Sequence, residues 1–65
     1  MLSSQDYQKY LEQLAVIEEE MIAYYTQLIN KIEDGAIKET CKVIRNDEIR
    51  HAQLVKEIQA LILQQ

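Results

Sequence analysis

A chain of 65 residues is one small unit, and 48% hydrophobic residues with no proline and one glycine exclude a disordered or low-complexity segment. A formal net charge of -4 argues against nucleic acid as the main partner, and the apolar runs are too short to cross a membrane. The lone Cys41 cannot form an intrachain disulfide and fits a reducing cytoplasm, and the polar start MLSSQDYQKY reads as no signal peptide.

In chain order, "SSQD" comes first: Ser3 suits a helix N-cap, with Asp6 three residues on to return the hydrogen bond. Helix formers then run unbroken to "EDG", Glu33 to Gly35, the only strong punctuation in the chain. Gly35 suits the left-handed position after a helix, and Asp34 suits an N-cap for a second helix. The expected elements are helix one over about 4–33, a turn at 33–35 and helix two over about 36–63. Each helix is then roughly 42 Å long at about 1.5 Å per residue. A turn this short makes them an antiparallel hairpin that fills residues 1–65.

The apolar spacing supports this all-α class. Steps of four and three from Tyr7 give Leu11, Leu14, Glu18, Met21, Tyr25, Leu28 and Ile32; from Ile37 they give Cys41, Ile44, Glu48, His51, Val55, Ile58 and Ile62. Thirteen of these sixteen positions are apolar; Glu18, Glu48 and His51 are the exceptions. This seam points all three inward. Two helices alone leave the seam flanked by water, and a chain this short is marginal without metal, disulfides or association. Two hairpins packing into a four-helix bundle solve both problems. Further apolar rows (Tyr10, Ile17, Tyr24 and Ala15, Ile22, Ile29) widen the stripe beyond one partner and suggest a second interface in a larger assembly.

The three exceptions fall at one height. Glu18 lies 15 residues before Glu33, and Glu48 and His51 lie 13 and 16 residues after Gly35. Glu48 and His51, at i and i+3, also share a helix face. A buried carboxylate must pair, take up a proton or bind metal. Two copies of the hairpin would supply four Glu and two His, the ligand set of a carboxylate-bridged di-iron site in a helical bundle. Four carboxylates would balance two divalent ions. Carboxylate and imidazole suit Fe(II) or Mn(II), whereas a structural zinc site more often shows Cys.

These residues resemble the ferritin-like superfamily of di-iron carboxylate proteins, and within it the two-helix encapsulated ferritins. The carrying segments are "EEEMIAYY" and "RNDEIRHA", with Glu18 and Glu48 thirty residues apart and Glu48-x-x-His51 as the ligand pair. The similarity covers about residues 14 to 56. It implies a ferritin-like four-helix bundle formed by a homodimer, and a ferroxidase that oxidises Fe(II) with O2 or peroxide for iron storage or detoxification. Two iron ions per dimer would lie between the chains, with manganese or zinc as substitutes. It also implies annular decamers and an encapsulin shell as partner, which would place the protein in a cytoplasmic nanocompartment. The family carries a further short helix and a C-terminal targeting tail, whereas here 14 residues follow His51.

On this reading Glu18, Glu48 and His51 are the metal ligands, with Glu48 bridging two ions. Tyr25, seven residues after Glu18, joins them as a hydrogen-bonding or redox side chain. Asp47 is expected to accept the free His51 N–H, and Glu19 and Glu20 to draw cations toward the site. Each has an ordinary alternative: seam acids paired with His51, a core tyrosine, solvated helix acids. Arg45 and Arg50 are expected to pair with Asp47 or surface acids, and Cys41 to be a small buried hydrophobe. A peroxide-reducing enzyme at the same centre, and an iron carrier without oxidase activity, use the same ligands. The alternative of a different class is a metal-free structural module, a hairpin that dimerises through its seam.

Overall fold

A computed structural model describes residues 3–64. It is all-helical among those residues: α1 spans Ser4–Lys31 and α2 spans Gly35–Leu63, packed as an antiparallel hairpin of 47 × 17 × 14 Å. Among the described residues no helix is long and apolar enough to cross a membrane.

Local chemistry sets the ends. The Ser3 hydroxyl accepts from the Asp6 N–H, and the Asp6 carboxylate accepts from the Ser3 N–H at 3.0 Å, so each residue satisfies a donor the helix start would orphan. Neither helix has proline or interior glycine to break it. Thr26 and Thr40 spend their hydroxyls on carbonyls one turn back, at Ile22 and Ala36.

The turn differs from expectation. The connection is 32–34 rather than 33–35, and Gly35 is the first residue of α2. No glycine has a positive φ. The chain leaves α1 through Ile32 in an extended conformation and re-enters at Asp34, whose Oδ1 accepts from the Ile37 N–H at 2.9 Å. The Asp34 cap makes the reversal, so a left-handed residue is not required.

The seam also differs. Of the described residues only Glu18, Ile29, Cys41 and Val55 are buried. Half-buried residues, including Leu11, Ala15, Ile22, Tyr25, Arg45, Glu48 and Ala52, fill the remaining positions of a line that steps by four and three from residue 8 in α1 and from 38 in α2; Met21, Leu28 and Ile44 are half-buried beside it. This line shares every second position with the expected one: 11, 18, 25 and 32, and 41, 48, 55 and 62. The other half divides: Met21, Leu28 and Ile44 stay half-buried, while Tyr7, Leu14, Ile37, His51 and Ile58 are exposed. A stripe wide enough for two neighbouring heptad lines fits both; a single partner helix can cover only one in full.

A broad apolar side remains outside, here the front face. By helical register it carries Tyr7, Tyr10, Leu14, Ile17 and Tyr24 from α1 with Ile37, Leu54, Ile58 and Leu61 from α2, all at least 40% exposed.

Candidate metal centre

Glu18 sits at the middle of α1, on the line that faces α2, and is 8% exposed. Glu48 and His51 sit at the middle of α2, one turn apart, on the edge between the helix–helix line and the front face. One ligand atom from each of the three lies within 4.8 Å of the others. The hairpin therefore gathers the expected trio, but not in a closed core. Glu48 is half-buried and His51 is exposed. His51 is among the seam positions that are exposed, on the front-face side of the helix–helix line.

Charge makes this cluster costly. Glu48 beside Glu18 raises the Glu18 pKa above the ordinary glutamate value, first because a hydrogen bond between the two side chains favours the protonated form. Burial and the Glu48 charge push the same way, and only His51 opposes them. The second oxygen of Glu18, Oε2, is buried and has no hydrogen-bond partner. A buried acceptor left orphaned costs about 1–3 kcal/mol. A divalent cation would remove that cost, the proton and the repulsion together. The donor set of two carboxylates and one imidazole fits such an ion.

The supporting residues are placed less as expected. Asp47 Oδ1 accepts from Arg50 Nη2 at 3.3 Å, so within one chain Asp47 serves an exposed i, i+3 pair rather than His51. Glu19 lines a groove on the opposite side of the hairpin from His51, and Glu20 is exposed beside it in sequence; Glu19 does not open onto the trio. Tyr25 is half-buried, one heptad from Glu18, and packs edge-on against Tyr24 with ring centroids 5.8 Å apart at 84°. It is outside the ligand cluster. Cys41 is buried and free, as its reading as a small hydrophobe expects. Arg45 pairs with no acid among the described residues. Its Nε is buried without an acceptor, and its Nη2 donates to Asn46 Oδ1 at 3.5 Å. Its place on the helix–helix line, three residues before Glu48, is the signal that would have found it.

Fold and cluster together define a class: a helical hairpin carrying a carboxylate–imidazole group open to an apolar face. No family model, curated protein or solved structure matches the chain.

Proposed function

We propose that two copies of this chain meet at their front faces to form a di-iron ferroxidase. The reading rests on one observation above the rest: a buried Glu18 oxygen without a partner, inside a three-ligand cluster spanning 4.8 Å that opens where the apolar surface is uncovered. A two-fold axis through that opening would bring the trio of each chain to the other. Four carboxylates then offset two Fe(II) ions in a site the partner dries.

Iron is the substrate. Each Fe(II) loses one electron; O2 takes two electrons and two protons to give hydrogen peroxide, or peroxide takes two electrons and two protons to give water. The chain's own residues bind and position. Glu48, on the edge between the two faces, suits the bridging role. His51 suits a terminal ligand through one ring nitrogen, with the other N–H left for an acceptor. Glu18 gives up its proton on binding, so uptake releases acid and strengthens as pH rises. Tyr25 stands one heptad beyond Glu18, packed against Tyr24, so it serves the helix packing rather than the cluster. A hairpin encloses no volume for mineral, so the storage half of the reading needs a container, which the resemblance supplies as an encapsulin shell.

The test is an anaerobic Fe(II) titration followed by native mass, then air. The expected outcome is saturation at about two irons per two chains and ferric absorbance that Glu48→Ala loses. Absence of binding would leave the metal-free module. One feature favours that module: the raised Glu18 pKa lets that carboxyl keep its proton more readily, which relieves part of the repulsion from Glu48 without an ion.

A further inference from the structure

Among the described residues, two buried side-chain atoms have no hydrogen-bond partner, Glu18 Oε2 and Arg45 Nε. One accepts and the other donates, and their side chains carry opposite charge. Both residues lie on the helix–helix line, Glu18 on α1 and Arg45 on α2. Arg45 stands three residues nearer the connection than Glu48, about 4.5 Å from the level of the trio. The two orphans do not answer one another. Arg45 forms no ion pair among the described residues, and its Nη2 reaches Asn46 Oδ1 only at 3.5 Å, long for a hydrogen bond.

The other acids near Arg45 on α2 are taken: Glu39 pairs with Lys42, and Asp47 with Arg50. Glu48 is left. It follows Arg45 by three residues, so the two share a helix face. Helical side chains tilt toward the N-terminus of their helix, which aims Glu48 back toward Arg45. Glu48 in turn is hydrogen-bonded to Glu18. An arginine turned onto Glu48 therefore meets a linked pair of carboxyls, and its planar fork can donate two N–H groups to one of them. A metal ion answers Glu18 Oε2 but leaves Arg45 Nε as it was, and it sets a divalent charge about one turn from a fixed cation.

We propose that Arg45 is the resident counter-ion of this carboxylate pair: in the metal-free chain it turns onto Glu48 and Glu18, and an incoming Fe(II) must displace it. One rotamer change joins the orphaned donor to the orphaned acceptors and offsets a charge that the seam otherwise buries alone. The arrangement in the structure, with the arginine standing off and the three ligand atoms within 4.8 Å of one another, is the one an ion requires. Arg45 thereby holds metal affinity down. It also returns to the carboxylates as oxidised iron leaves, so that release does not strand two bare charges. It is a positioning residue that acts through Glu48 and Glu18 and touches no iron. The displacement rests on the ferroxidase reading, whereas the counter-ion role stands on the two orphaned atoms.

The test uses Arg45→Met, which keeps the length and removes the charge, and Arg45→Lys, which keeps the charge. The first measurement is metal-free: thermal midpoints at pH 7 and one chain concentration, with Arg45→Met made in the native chain and in a Glu18→Gln, Glu48→Gln background. The substitution should cost at least about 4 °C more in the native chain than in that background. Equal shifts in the two would overturn the counter-ion role, and they read packing alone. The second measurement is anaerobic Fe(II) titration by calorimetry. Arg45→Met should bind Fe(II) about tenfold more tightly than the native chain, because the competing charge is gone, while Arg45→Lys keeps the native affinity. Weaker or unchanged binding in Arg45→Met would overturn the displacement. Fe(II) binding to none of the chains would sink the ferroxidase reading and the displacement with it, and the metal-free midpoints would still decide the counter-ion role.

Discussion

An acid whose pKa is raised in the folded chain gives a pH dependence whose sign can be worked out. The Glu18 carboxyl, held to its proton by Glu48 and by burial, binds that proton more tightly folded than unfolded. Its contribution to stability is fully present below the ordinary glutamate pKa, about 4.3, and is lost as pH rises through the raised folded value. The metal-free protein should therefore lose melting temperature over that interval, and Glu18→Gln should flatten the curve. Bound Fe(II) should reverse the trend, because an ion held there requires the ionised form, and under anaerobic conditions it should raise the melting temperature more at pH 7 than at pH 5. A wild-type curve as flat as that of Glu18→Gln would remove the Glu18 proton from the account. The three clustered positions were legible in the sequence because polar residues at apolar spacing carry a cost that needs an answer. The partner of Asp47 was not, because a helix places Arg50 one turn away as readily as His51 stands four residues on, and rotamers decide between them.

At the scale of the element, the turn yields a test that separates the sequence expectation from the structure. A left-handed glycine at position 35 would make Gly35→Ala destabilising. The structure places Gly35 at the start of α2 with no positive φ, and a Cβ built there meets nothing within 4 Å. Gly35→Ala should then stabilise the hairpin by about 0.5–1 kcal/mol, through the freedom removed from the unfolded chain. Asp34→Ala should cost about 1 kcal/mol by leaving the Ile37 N–H without its cap. Both are read from thermal or denaturant midpoints, and a destabilised Gly35→Ala would restore the left-handed turn. The helices were legible as long runs of helix formers bounded by Ser3 and Asp34. Which of Asp34 and Gly35 would make the reversal was not, because each is a good turn residue and the backbone needs only one of them.

At the scale of the whole molecule, the question is how much a rod one helix pair thick can keep out of water. Four buried residues among those described are a thin interior, and the apolar side chains left outside outnumber them. Heptad counting could not say which line the chain would cover by itself, since Leu11, Glu18, Tyr25 and Ile32 belong to both. The structure assigns one line to the hairpin and covers the other only in part: Met21, Leu28 and Ile44 are half-buried, and its remaining unshared positions, His51 among them, are exposed. Covering that line with a second copy would stabilise the fold and dry the ligand cluster at once, so association and iron chemistry should fail together. Leu14, 40% exposed, lies on the same line one turn from Glu18. Leu14→Lys places a charge there that a single hairpin leaves in water and a dimer must desolvate. An unpaired buried charge costs several kcal/mol, and about 1.4 kcal/mol is tenfold in affinity, so front-face association should weaken about 100-fold or more. Sedimentation measures that loss, while circular dichroism at low concentration should show the helices intact. Ferric absorbance on admitting air should fall with the dimer and return as protein concentration is raised to restore it. A variant that associates as weakly as expected yet oxidises iron at the native rate would place the whole reaction within one chain, with Glu18, Glu48 and His51 sufficient by themselves.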